Sequence, residues 1–91
     1  MAIYMVTYDL RSPGQNYQDL IHNIEKYTHC KAAKSCFLID VGLTAGQLRD
    51  ELKQFVDSND VLVIARLQGN WSSWCLNDLC VQWLKSLDRT W

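Results

Sequence analysis

The sequence predicts an α+β protein: a ferredoxin-like βαββαβ chain with a four-stranded antiparallel sheet and an additional C-terminal helix. Three observations predict it. Apolar residues recur with strand-like and helix-like periods in the order strand, helix, strand, strand, helix, strand, helix. Turn-forming residues punctuate the changes of period, at Pro13-Gly14, Lys34-Ser35, Asp57-Ser58-Asn59-Asp60 and Gly69-Asn70. The 91 residues, 48% apolar and 21% charged, suit a single domain with one core. The core unit spans about residues 2–67, and a Trp-rich helical tail spans about 70–91.

The first strand runs from Ala2 to Asp9, with Tyr4, Val6 and Tyr8 on one face and Ile3, Met5 and Thr7 on the other. It ends in a carboxylate, Asp9, just before Arg11-Ser12-Pro13-Gly14. Asn16 is placed to cap a helix whose apolar stripe is Tyr17, Leu20, Ile21, Ile24, Tyr27 and Thr28. Gln18, Asp19, Glu25 and Lys26 fall on its solvated side. From His29 to Val41 the pattern is extended, and Lys34-Ser35 turns it into a short hairpin. The second arm, Ser35 to Val41, is rich in aromatic and branched residues.

Thr44-Ala45-Gly46-Gln47 has the Thr-x-x-Gln form of a capping box. It opens a helix with Ala45, Leu48, Leu52, Phe55 and Val56 inward. Val61 to Leu67 follows as an almost unbroken apolar strand. All four tryptophans, Trp71, Trp74, Trp83 and Trp91, lie in the tail. Asn77 is placed to cap a last helix with Leu76, Leu79, Cys80, Trp83, Leu84 and Leu87 on one stripe. Tryptophans of this kind serve packing or an interface, including one with a protein partner, or stack on a ligand or base.

Nine basic residues oppose ten acidic ones, for a net charge of −1, so no bulk charge drives the chain to nucleic acid or to a membrane. No apolar run approaches the ~20 residues of a membrane span, and the N-terminus lacks the pattern of a secretory signal. These features predict a soluble cytoplasmic protein. Cys30, Cys36, Cys75 and Cys80 show no two-residue spacing, and His22 and His29 complete no usual zinc pattern. They read as reduced, structural cysteines.

The strands carry one further message. Those containing Ile3 to Val6, Cys36 to Ile39 and Val61 to Ile64 are apolar on both faces, whereas a sheet covered on one side alternates apolar with polar. Two helices cover only one face. A second copy of the chain is the simplest cover for the other, and the Trp-rich tail is a competing or cooperating one. The expectation is a homodimer.

Several segments in this order resemble the small CRISPR-associated "Cas-two" proteins and their relatives outside CRISPR loci. The matching pieces are Val6-Thr7-Tyr8-Asp9-Leu10, Ser35-Cys36-Phe37-Leu38, Leu43-Thr44-Ala45-Gly46-Gln47-Leu48 and Asp57-Ser58-Asn59-Asp60-Val61-Leu62-Val63-Ile64, spanning about residues 2–67. The resemblance implies a ferredoxin-like homodimer in which two strand-end aspartates face each other. In some such proteins they hold a divalent metal, magnesium or manganese, for phosphodiester hydrolysis of RNA or DNA. In others the dimer is a scaffold for DNA and a partner protein. Carried over by position, it implies Asp9 as the catalytic metal ligand, with Tyr8 as its strand neighbour and Ser35 and Phe37 as nearby lining; beside these candidate nucleic-acid contacts, Arg11, Lys31 and Lys34 are added for their charge alone. Two Asp9 carboxylates with substrate phosphate would meet the oxygen preference of magnesium.

The chain also departs from that pattern. Arg11 is the only basic residue directly after Asp9, and a helix follows Gly69-Asn70-Trp71 where the family often adds a fifth strand. Asp9 therefore reads either as a site carboxylate or as a turn-forming acid. Lys26, His29, Lys31 and Lys34 read either as phosphate contacts or as a solvated surface. The alternative function is a non-catalytic dimeric module binding protein or nucleic acid in a defence, toxin-antitoxin or mobile-element setting. An RNA-recognition motif is disfavoured, because the strand Ser35 to Val41 lacks its Gly-flanked aromatic signature.

Overall fold

Eight residues at the N-terminus form the strand around which the sheet is assembled. In the computed structural model, which describes residues 1–11, 17–89 and 91, β1 (Ala2–Asp9) is flanked by β3 (Cys36–Val41) and β4 (Val61–Leu67). β2 (Thr28–Ala33) adds to β3, so the strand order is β2-β3-β1-β4, with every neighbour antiparallel. The helices α1 (Gln18–Glu25), α2 (Ala45–Leu52) and α3 (Asp78–Lys85) are interleaved between and after the strands. The described residues thus form a small α+β structure with a four-stranded antiparallel sheet and three α-helices. Among the described residues, no helix is long and apolar enough to cross a membrane.

The strand boundaries follow the sequence pattern closely. Lys34 and Ser35 form the turn between β2 and β3, and the pairing shifts register between Lys31 and Ala33. α2 carries the full capping box: Thr44 Oγ1 accepts from the Gln47 amide at 3.1 Å, and Gln47 Oε1 accepts from the Thr44 amide at 2.9 Å. A 3-10 turn, Lys53–Phe55, continues α2 toward β4.

α1 is shorter than its apolar stripe suggests. It stops at Glu25, Tyr27 follows it, and Thr28 already begins β2, so only Leu20 and Ile24 are fully buried from it. The predicted cap, Asn16, and the predicted break at Pro13-Gly14 lie outside the described residues. The residue at the start of α1, Tyr17, supplies no side-chain cap.

Two apolar clusters form on opposite faces of the sheet. On one, Tyr4, Val6, Tyr8, Phe37, Ile39 and Val41 meet Leu20 and Ile24 of α1 and Leu48 and Leu52 of α2. Each of these four helix residues has no exposed surface, which is worth about 1.5–3 kcal/mol apiece before entropy is subtracted. On the other face, Cys30 and Leu38 are buried against Cys80 and Leu84 of α3, with Met5, Ala32, Leu67, Trp71, Leu76 and Trp83 packed around them.

This second cluster answers the question posed by the doubly apolar strands. The chain's own tail covers the second face over β2, β3 and part of β1, so that face does not need a second copy to be sealed. The stripe predicted for the last helix is correspondingly narrower than expected. Cys80 and Leu84 point inward, but Leu79 is 80% exposed and Leu87 fully exposed. Leu79 falls outside the arc of the helix that meets the sheet, and Leu87 lies beyond the end of α3.

Candidate functional site

Asp9 ends β1 opposite Val61, where the strand leaves the sheet. Its carboxylate is an exposed one, and Arg11 Nε donates to Oδ2 at 3.1 Å. Both side chains are more than half exposed, so the pair contributes little to stability. Just across the strand end, the Tyr8 amide donates to the Ser35 carbonyl at 3.1 Å, which brings the β2–β3 turn beside Asp9. The structure therefore gathers Asp9, Arg11, Lys34 and Ser35 at one end of the sheet, with Lys34 and Ser35 both exposed.

The remaining sequence-derived residues lie elsewhere. Tyr8 and Phe37 stack in the helix-covered core, ring centroids 6.4 Å apart, with 9% and 2% of their surface exposed. Burial raises the Tyr8 phenol above its ordinary value, with the neighbouring Cys36 adding to the effect. Buried this way, neither ring offers a face on which a base could stack. Lys31 stands over the Phe37 ring at 5.8 Å on the outer strand β2, away from Asp9. Its backbone carbonyl is bonded to Asn77 Nδ2 at 2.9 Å.

A second carboxylate near Asp9 is already occupied. Asp60 accepts from the Arg11 amide at 2.7 Å, the Asp57 amide at 2.8 Å and the Tyr17 hydroxyl at 2.9 Å. Partial burial pushes this carboxyl up. The hydrogen bonds from Arg11, Asp57 and Tyr17, with the Arg11 charge, outweigh it and hold the group below the usual carboxylate range. Asp60 thus acts as a staple joining the end of β1, the start of α1 and the turn before β4.

Magnesium keeps its waters and takes hard oxygen ligands. In one chain, Asp9 offers a single carboxylate already shared with Arg11, and the Asp60 oxygens have three donors. Among the described residues, no group of three or more His, Cys, Asp or Glu could hold a metal ion. Among the described residues of one chain, Asp9 is thus a single carboxylate beside an arginine, and the two-aspartate arrangement that the resemblance implies would take a second copy.

The structure presents a different surface that sequence reasoning underestimated. Leu79, Trp83, Cys80 and Asn77 of the tail line a cleft of about 450 Å³ with His29, Cys30 and Lys31 of β2. The tail also exposes Leu79, at the cleft, at 80%, and Trp74 and Leu87, on either side of α3, at 91% and in full. Cys75, beside Trp74, adopts a positive φ of 58°, a backbone conformation uncommon for a residue with a Cβ. The signal was in the sequence, since the predicted stripe of six residues is wider than one helix can bury against a sheet.

No family model matches this chain, and no solved structure matches it.

Proposed function

We propose that the protein is a non-catalytic binding module of ferredoxin-like architecture whose tail engages a protein partner. The β-α-β-β-α-β order and the β2-β3-β1-β4 strand arrangement support the architecture. One observation carries the function. The tail has already used its inward face to seal the sheet, yet it keeps Trp74, Leu79 and Leu87 in water. An outward tryptophan with further large apolar side chains on the same tail suits the anchor of a protein interface.

The test compares the wild-type chain with a Trp74→Ala, Leu79→Ala, Leu87→Ala variant, all three positions being exposed and dispensable to the core. Capture from source cells should retain a partner on the wild type only. The purified partner should then bind the wild type directly in calorimetry and lose that binding with the variant. Equal binding by both, or background capture alone, refutes the reading.

A second reading, phosphodiester hydrolysis by a homodimer that brings two Asp9 side chains together, is supported by one observation: Asp9 is an exposed carboxylate at the strand end. Purified protein and Asp9→Asn are incubated with RNA and DNA in magnesium or manganese. Cleavage lost in the variant upholds this reading, and equal cleavage by both assigns the activity to a contaminant.

A further inference from the structure

The sheet has two edges, and they are treated differently. At β2 the outward carbonyl of Lys31 is bonded to Asn77 Nδ2, the register shifts between Lys31 and Ala33, and α3 packs alongside. Such devices blunt an edge against pairing. At β4 there is no proline, no glycine and no register shift, only Val61-Leu62-Val63-Ile64-Ala65-Arg66-Leu67.

Hydrogen-bond parity shows which groups of β4 face outward. The Tyr8 amide points to β3, so in an antiparallel ladder the alternate residues Thr7 and Asp9 point to β4. Their partners Val63 and Val61, and by alternation Ala65 and Leu67, spend their backbone groups on β1. The amides and carbonyls of Leu62, Ile64 and Arg66 are turned to the outside. Val63 is also 50% exposed on the face that α3 covers elsewhere.

The two ends of this edge carry opposite charges. Arg66 stands at one end of β4, exposed and without an ion pair among the described residues, and Asp60 precedes the other end. Opposite charges at the two ends match when the strand meets itself antiparallel. They clash when it meets itself parallel. Room is present as well. Ala45, Gly46 and Arg49 of α2 stand back from Leu62, Val63 and Ile64, leaving a cleft of about 270 Å³ along the edge.

We propose that β4 is a self-pairing edge: a second copy of this chain lays its own β4 antiparallel to it, centred on Val63. In that register each Leu62 exchanges backbone hydrogen bonds with Ile64 of the second copy, and each Arg66 lies opposite Asp60 of the second copy. Centring on Ile64 instead would set Arg66 against Leu62 and leave Asp60 facing Gln68. The second copy's Leu62 and Ile64 side chains, on the helix side of the sheet, enter the cleft beside Gly46. This surface is the sheet edge opposite the tail cleft, so it stands whether or not the tail binds a partner. It also separates the two β1 strands by three strand spacings, roughly 14 Å, which keeps the two Asp9 residues apart.

Sedimentation of the full chain carrying Cys75→Ser, which removes an exposed thiol, should show a concentration-dependent dimer. Arg66→Glu places like charges opposite each other at both ends and should raise the dissociation constant by about tenfold. Gly46→Leu, where an added Cβ meets nothing nearer than Arg49 Nη2 at 3.8 Å, should fill the cleft and weaken the dimer too. Val63 faces its own symmetry mate as a non-hydrogen-bonded pair at about 4.5 Å between Cα atoms, within disulfide reach. Val63→Cys should therefore crosslink under mild oxidation, and Ala65→Cys, placed opposite Val61, should not. A monomer at every concentration, a dimer indifferent to Arg66→Glu, or equal crosslinking at 63 and 65 overturns the proposal. The tail variant Leu79→Ala should leave this dimer unchanged, and a dimer lost with it overturns the proposal as well.

Discussion

Arg89 reaches back from beyond α3 to Asp40 in β3, Nη1 to Oδ2 at 2.5 Å, and both side chains are nearly buried at 10% and 6% exposure. On the way its guanidinium lies 4.2 Å from the centre of the Trp83 ring, and its Nε donates to the Trp83 carbonyl at 3.2 Å. The ion pair thus fastens the last turn of the tail to the middle of the sheet. Arg is suited to this, because its planar group can stack on the ring and still pair with a carboxylate.

Removing one partner should be costly. Arg89→Ala strands a buried carboxylate whose other oxygen, Oδ1, already has no hydrogen bond among the described residues. The expected loss is about 3–5 kcal/mol, read as a lowered urea midpoint. Arg89→Lys should recover part of it. Replacing both residues, Asp40→Leu with Arg89→Met, should cost far less than Arg89→Ala, because no charge is then left buried alone.

Asn77 performs two tasks with one side chain. Its Oδ1 caps α3 by accepting the Cys80 amide at 2.9 Å, and its Nδ2 donates to the Lys31 carbonyl at 2.9 Å. Asn77→Asp keeps the cap and loses the tie to β2, whereas Asn77→Ala loses both. The expected order of thermal midpoints is wild type, then Asp, then Ala, with the alanine variant down by about 0.5–2 kcal/mol for the cap alone. Amide exchange at Cys80 should quicken in the alanine variant and stay protected in the aspartate one.

The fold was largely readable because its signals are local. The apolar run in Ala2–Asp9, the Thr44–Gln47 box and the Asn77 cap each depend on neighbours a few residues away, and each reappears in the structure. What covers the second sheet face was not readable, because it turns on where a distant segment docks. The apolar faces of Ile3 and Leu38 announce only that a cover exists, and either the tail or a second copy satisfies them equally. Asp40 did carry a legible clue, a lone acid in the apolar run Cys36–Val41, since buried acids come with a partner. Its partner is 49 residues away, beyond any spacing rule. The site carry-over was read from position along strands, which cannot distinguish an exposed aromatic from a buried one. Tyr8 and Phe37 both lie within the helix-covered core.

Asp60 predicts a specific acid response. Its carboxyl is held below its ordinary value in the folded chain, so it binds fewer protons there than in the unfolded chain. The stabilisation it supplies is fully present above the unfolded value near 3.8 and is lost as pH falls through the lower folded value. Asp50, lowered chiefly by its hydrogen bond from Arg49, acts in the same direction, so the comparison must isolate one residue. Urea midpoints of the wild type and Asp60→Asn should differ at pH 6 and converge as pH drops below about 4. A constant difference across that range would show that Asp60 acts by shape rather than charge.

The tail's role as a cover gives the last expectation. Ile3 has no exposed surface, Leu38 has 5% and Cys30 has 9%; the last two are buried directly against α3. A chain ending at Leu67 would open this face to water, and an apolar patch of that size on a twisted sheet promotes association. The shortened protein should bind a hydrophobic dye and aggregate as concentration rises. Truncation could also fail for want of folding, so a full-length Leu84→Asp variant provides a second arm. It places a carboxylate into the same cluster without shortening the chain, and should loosen α3 while leaving the helix-covered core of Leu20, Ile24, Leu48 and Leu52 intact. Amide exchange would then rise in α3 and β2 but not in β1. A truncated chain that stays soluble with an unchanged oligomeric state would mean that the second face finds its cover in another molecule.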